Sequence, residues 1–199
     1  MSSVVSDGLA RCWWNGDDTP DPLMAEYHDT EWGVPCHDDG ELFERLALES
    51  FQAGLAWVTI LRKREGFRAA FQGFDPMAVA AFDDADRERL MADASIVRNR
   101  AKIDATIGNA TAFLATAEAF GSFAVYLDTL VPGPPSRLPA EAGVGSIPAT
   151  TPASDALSRD LKGRGFRFVG STIVYAFMQS VGLVDDHLPG CFRYGAMES

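Results

Sequence analysis

Apolar residues recur every three to four positions along most of the chain, and Asp, Pro and Gly cut that pattern into helix-sized segments. Asp38-Asp39-Gly40-Glu41 resembles a capping box, with Asp38 as N-cap and Glu41 three residues on, so a helix of about a dozen residues should follow. A second helix is predicted over Leu55–Phe71. Phe74-Asp75-Pro76 then marks a break, with the proline placed for the first turn of the next helix. Asp84–Asp93, Arg98–Phe120 and Phe123–Leu130 carry further helical patterns; the last is rich in β-branched and aromatic residues but has no strand to pair with. Val131–Pro152 holds six prolines and three glycines and reads as a loop, after which Ser154 is the expected N-cap of a helix through Lys162. Three glycines then fall between Leu161 and Gly170, before an apolar helix opens at Ser171 and runs to Val181. Glycine permits positive φ and a tight connection, so the pair reads as a helix-hairpin-helix or as an ordinary helical hairpin. An all-α fold is the expectation.

Composition adds a core. The 199 residues are 47% hydrophobic and 23% charged, which suits one sizeable folded domain. Three cysteines, at positions 12, 36 and 191, are a poor disulfide framework and fit a reducing compartment. No signal sequence opens the chain, and the stretch Phe166–Val184 is too polar to span a membrane, so a soluble, cytoplasmic protein without a membrane partner is expected.

A net charge of -11 argues against a polyanionic partner until the positions are read. Twelve of the 28 acids lie in the first 50 residues, whereas 11 of the 17 bases form three clusters: Arg62, Lys63, Arg64 and Arg68; Arg98, Arg100 and Lys102; Arg159, Lys162, Arg164 and Arg167. Only Glu65 and Asp160 interrupt them. Each cluster is either a solvated helix face or part of a nucleic-acid surface. The N–H groups at the start of the helix from Ser171, with these bases beside them, would suit a phosphate oxygen.

Two constellations carry chemistry. In the helix beginning near Gly40, Leu42, Phe43 and Leu46 form the apolar stripe, and at about 100° per residue Glu49 falls about 20° from Leu42. A carboxylate turned toward a core needs a partner or a task. Gln52-Ala53-Gly54 would allow close approach, and Trp57, Tyr27 and the pair Trp13-Trp14 supply aromatic faces suited to a planar cationic ligand. The competing reading is an aromatic core with Glu49 paired to an arginine. Separately, His187 and Cys191 have the spacing of a local metal-ligand pair, and Cys12 with His28 could complete a closed Cys2His2 set; Cys36-His37 competes, although adjacent side chains ligate one ion awkwardly. Four protein ligands would leave no open position for activated water.

Longer blocks in a fixed order resemble a known family, the DNA-3-methyladenine glycosylases I. They are Arg11-Cys12-Trp13-Trp14, Tyr27-His28-Asp29-Thr30-Glu31-Trp32-Gly33-Val34-Pro35, Leu48-Glu49, Gln52 to Trp57, Phe74-Asp75-Pro76, Ile96-Val97-Arg98, Ser154 to Ser158, Arg164 to Gly170, and Asp186 to Cys191. The resemblance covers about Arg11 to Tyr194, so it implies one glycosylase domain over 11–194, with residues 1–10 expected to be disordered and 195–199 a tail. It implies a helix-hairpin-helix glycosylase fold, the motif lying at about 154–183, with structural zinc on Cys12, His28, His187 and Cys191 tying the N- and C-terminal segments. It implies hydrolysis of the N-glycosidic bond of 3-methyladenine in alkylated double-stranded DNA, with free 3-methyladenine as product, a monomeric enzyme and no lyase step. Glu49 is the catalytic candidate, and Tyr27, Trp57 and Trp14 would bind the base. Lys162, Arg164, Gly165, Arg167, Gly170 and Ser171 would hold the DNA backbone. The alternative is a zinc-stabilised helix-hairpin-helix module that binds DNA without chemistry. The chain departs from the family pattern in the second residue pair of Arg11–Trp14 and in the Pro-rich loop Pro132–Pro152.

Overall fold

The computed structural model describes residues 8–12 and 21–196. Among these, nine α-helices account for most of the ordered backbone: α1 Pro22–Thr30, α2 Asp39–Gln52, α3 Trp57–Ala70, α4 Pro76–Ala80, α5 Asp84–Ala92, α6 Arg100–Phe120, α7 Phe123–Leu130, α8 Pro152–Gly163 and α9 Ser171–Ser180. One departure from the all-α expectation is a pair of two-residue parallel strands, β1 Ser136–Arg137 and β2 Val184–Asp185. No single described helix is long and apolar enough to cross a membrane.

The chain divides into two compact units. One comprises Met1–Pro35, Gly133–Ala149 and Met178–Ser199; the other comprises Cys36–Pro132 and Thr150–Phe177.

The second unit is built on α2, α3, α6 and the short helices between them. Asp38 caps α2 by accepting the Glu41 N–H at 2.9 Å, as the local pattern requires. Pro76 starts α4 with Asp75 as its cap. Asp39, one residue inside α2, accepts the first two N–H groups of α7, from Phe123 at 2.9 Å and Ala124 at 3.0 Å, which fixes the distant helix to this one. The core is aromatic: Phe43, Phe51, Phe67, Phe71, Phe74, Phe113 and Phe123 are fully buried, with Phe113 and Phe123 stacked at 4.1 Å.

One expectation is corrected here. The cap of α8 is Thr151, not Ser154; the backbone turns helical at Pro152, so Ser154 falls at the third helical position and returns the Thr151 N–H bond, completing a capping box. Acids from neighbouring helices and from the same helix also pair with members of the basic clusters. Arg68 pairs with Glu44, and Arg100 with Glu88 and Asp104.

In the other unit, α1 is capped by Asp21, and the loop from Gly133 contributes β1, which pairs Ser136 with Val184 and Arg137 with Asp185. Asp185 is buried and accepts Arg137 Nε at 3.0 Å, while Tyr194 donates to the Leu138 carbonyl at 2.7 Å. Asp185 and Asp186 therefore have packing partners within this unit, Asp186 accepting Gln179 Nε2 at 2.7 Å.

Candidate active site and metal-ligand cluster

Leu42, Phe43 and Leu46 turn the apolar stripe of α2 into the core, and one turn beyond them Glu49 follows the same face, only 5% exposed. No hydrogen-bond or ionic partner meets its carboxyl group among the described residues. Burial alone pushes its pKa up from 4.5 to about 8. The paired-arginine reading of Glu49 finds no such arginine among those residues. Just beyond it the chain leaves the helix through Ala53 and Gly54, and Trp57 opens α3 half-buried. Lys102, counted in a basic cluster by sequence, is instead buried: its ammonium donates to the Phe51 carbonyl at 2.8 Å and the Ala53 carbonyl at 2.7 Å. It satisfies two carbonyls at the end of α2, and its desolvation there lowers its pKa. Nothing in the local sequence marks this role except the regular burial of α6 at that position.

The α8–α9 connection occupies residues 164–170. Gly165 takes a positive φ of 96°, which its missing Cβ permits, and its N–H bonds the Lys162 carbonyl at 3.0 Å. Arg164 folds back on Asp160 and lies over the rings of Phe120 and Tyr126, at 4.8 and 4.9 Å. Lys162 and Arg167 are exposed, as are Gly165 and, farther back on α8, Arg159. No ion pair engages Arg159, Lys162 or Arg167 among the described residues. Gly170 and Ser171 lead directly into α9.

In the other unit, Cys12, His28, His187 and Cys191 are all buried and their ligand atoms lie within 4.8 Å of one another. Cys191 Sγ is 3.4 Å from His28 Nε2 and 3.7 Å from His187 Nδ1, and Cys12 Sγ is 3.6 Å from that same Nδ1. The cluster could hold a metal ion. Cys36 is elsewhere, near the Asp38 carbonyl and Glu41, so the competing Cys36-His37 pair does not join it.

Surrounding groups orient the four. Asp29 accepts His28 Nδ1 at 2.8 Å and is itself gripped by Arg11 through two nitrogens, at 2.9 and 2.6 Å. This leaves His28 Nε2 facing the sulfurs. Burial alone would raise the Asp29 carboxyl, but hydrogen bonds from Arg11 and His28 outweigh it and hold the pKa below its ordinary value. His187 Nε2 lies 3.3 Å from the Trp32 carbonyl, leaving Nδ1 for the cluster. Each sulfur also accepts a backbone N–H at 3.4 Å, Cys12 from Leu188 and Cys191 from Arg193. Hydrogen bonding with Cys191, then burial, pushes the Cys12 thiol up, while the bond from Cys12 pulls Cys191 down. The sequence pointed to the four ligands but not to Arg11 and Asp29; the adjacency of Asp29 to a ligand histidine is the signal that could have revealed the latter.

Tyr27 lies buried in α1, beside the ligand His28. The base-binding candidate Trp14, with Trp13, lies outside the described residues.

Comparison with known proteins matches residues 14–194 to the Methyladenine glycosylase family. The DNA-3-methyladenine glycosylase 1 of Escherichia coli K12 is 50% identical over 186 residues, covering 94% of this chain and 97% of that protein. A crystal structure of a 3-methyladenine DNA glycosylase I superposes with a TM-score of 0.87 at 50% identity, covering 93% of this chain and all of the other. A single-substitution variant of a 3-methyladenine DNA glycosylase I in complex with 3-methyladenine superposes with a TM-score of 0.85 at 37% identity, covering 92% and 96% of the two chains.

Proposed function

The chain belongs to the methyladenine glycosylase family, and from that premise we propose that it removes 3-methyladenine from alkylated DNA by hydrolysing the N-glycosidic bond, without a lyase step. The observation that carries the reading is Glu49, a buried carboxyl group with no protein counter-charge among the described residues. Such a group is costly in the empty protein and becomes favourable when a cation occupies the space before it. Methylation at N3 gives adenine in DNA a positive charge and makes it a better leaving group, so the bond is weakened before any protein acid is needed. Glu49 then accepts hydrogen bonds from the extruded base and favours its cationic form, and the Trp57 ring stacks on it. Tyr27 hydrogen-bonds the base, and Trp14 helps to wall it in. A base reaches such a group only when its nucleotide leaves the duplex, which costs least for a damaged one. Water completes hydrolysis, and rate comes from positioning and charge recognition.

The segment 154–183 acts as a helix-hairpin-helix that holds the DNA backbone, through the exposed Lys162 and Arg167 and the backbone of Gly165, Gly170 and Ser171, with Arg164 at its turn. A lyase would need an amine nucleophile. Lys162, the lysine beside the connection, serves the DNA backbone in this reading, which leaves water as the nucleophile.

The ion suited to Cys12, His28, His187 and Cys191 is zinc. A tetrahedron with metal–sulfur bonds of about 2.3 Å and metal–nitrogen bonds of about 2.0 Å sets its ligand atoms about 3.3–3.8 Å apart; three of the sulfur-to-nitrogen distances, 3.4–3.7 Å, fall in that range, and the whole set lies within 4.8 Å. Two thiolates and two imidazoles are also the donor set that zinc prefers. Bound there, it supplies a cross-link and no activated water.

The deciding experiment is chromatography of bases released from methylated DNA. Release of 3-methyladenine by the wild type and its loss in Glu49→Gln are expected. Duplex binding without any released base would overturn the enzyme reading in favour of a binding module.

A further inference from the structure

Three consecutive carbonyls of the α8–α9 connection are taken up by buried side chains from three different helices. Asn109 Nδ2 on α6 donates to the Arg167 carbonyl at 2.9 Å, Ser158 Oγ on α8 donates to the Val169 carbonyl at 2.6 Å, and Ser50 Oγ on α2 divides its one proton between the Phe168 carbonyl at 3.1 Å and the Leu46 carbonyl of its own helix at 2.9 Å. Asn109 also accepts the Arg167 N–H at 2.8 Å, so its amide pairs with both sides of one residue. All three side chains are almost wholly buried. Between them Phe168 is held at φ 54°, a conformation that a side chain of this size rarely adopts and that persists only where surrounding bonds over-determine it.

Every peptide here is trans, so the N–H of each unit points opposite to its carbonyl. With the carbonyls of residues 167–169 fixed inward, the N–H groups of Phe168, Val169 and Gly170 are turned away from them, and none meets an acceptor among the described residues. With the first N–H groups of α9, which no helical carbonyl takes up, they are a run of donors that follows the exposed Arg167 in the chain.

We propose that Asn109, assisted by Ser158 and Ser50, is a positioning residue for DNA: it holds the connection in the one conformation whose N–H row fits a backbone phosphate. This rests on the reading of 154–183 as the DNA-holding element. Ser50 follows Glu49 directly in α2, so the same helical turn fixes both the phosphate donors and the carboxylate that meets the base.

The test compares three readouts for the full chain: affinity for a duplex containing a tetrahydrofuran abasic analogue, affinity for free 3-methyladenine, and the single-turnover excision rate at saturating DNA. Asn109→Ala should weaken duplex binding about tenfold, the effect of leaving two buried backbone groups unpaired, while base affinity and saturated rate stay within about threefold. Ser158→Ala should give the same pattern more weakly. Proportional loss of all three readouts in both variants would overturn the inference in favour of general destabilisation. A Lys162→Ala, Arg167→Ala double variant separates the two levels. If it loses duplex affinity while Asn109→Ala and Ser158→Ala do not, the positioning role alone falls; if it too binds the duplex normally, the DNA-holding role of the segment falls with it.

Discussion

Gly33 gives way to His187: a Cβ at Gly33 would stand 2.9 Å from Nε2 of the imidazole, and Gly33 has a φ of 76°. An alanine there is strained by its backbone and pushes the ring that contributes Nδ1 to the Cys2His2 cluster. Gly33→Ala should lower stability by about 1–3 kcal/mol and reduce bound zinc per chain, measured by calorimetry and elemental analysis. Full metal content with an unchanged melting temperature would show that the ring has room to move.

The role proposed for Glu49 carries a stability penalty. Its folded pKa of about 8 exceeds the ordinary 4.5, so between these values the native state binds more protons than the unfolded chain. Stability therefore falls as pH rises through that window, and the penalty is complete above about pH 8. Glu49→Gln should be more stable than the wild type at pH 9, by several kcal/mol at most, and indistinguishable from it near pH 4; urea melts at the two pH values check the sign. The same substitution should slow excision by about 10- to 100-fold and remove the acidic limb from the pH dependence of kcat/KM.

Chelation tests the ion. Prolonged treatment with a strong zinc chelator should lower the melting temperature by at least about 5 °C, and one equivalent of zinc should restore it. Cys191→Ser should show the low value from the start. Because the proposed zinc has all four positions taken by protein ligands, the folded fraction that remains should excise base at the wild-type rate.

Lys102→Met keeps much of the buried aliphatic volume and deletes the donors to the Phe51 and Ala53 carbonyls. Two unsatisfied carbonyls at a helix end predict a loss of about 2–4 kcal/mol in denaturant melts. Hydrogen exchange should locate the loosening first at the Leu55 amide, which bonds the Gln52 carbonyl in the same turn.

Local signals were the ones a linear reading could use. Asp38, Pro76 and the α7 boundaries at Phe123 and Leu130 follow from residues within one turn of each element. The placement of Glu49 needed only helical period. Two hydroxyls three residues apart, Thr151 and Ser154, can each cap, and reading Ser154 as the cap overlooked Pro152, whose fixed φ starts the helix directly after Thr151. The β1–β2 pair left no trace because two residues show no alternation, and their partners lie 48 positions apart. Lys102 and Asn109 were illegible for a related reason: each is defined by carbonyls far off in sequence, at Phe51 and Ala53 for one and Arg167 for the other.

Cys12 and His187 stand 175 positions apart, and both serve one cluster. During translation Cys12 and His28 leave the ribosome long before His187 and Cys191, so the set of four closes only after residue 191 has emerged. Quality control follows from that order. A message cut short before His187, or a protease that trims the segment carrying Cys12, yields a product with an incomplete set of ligands.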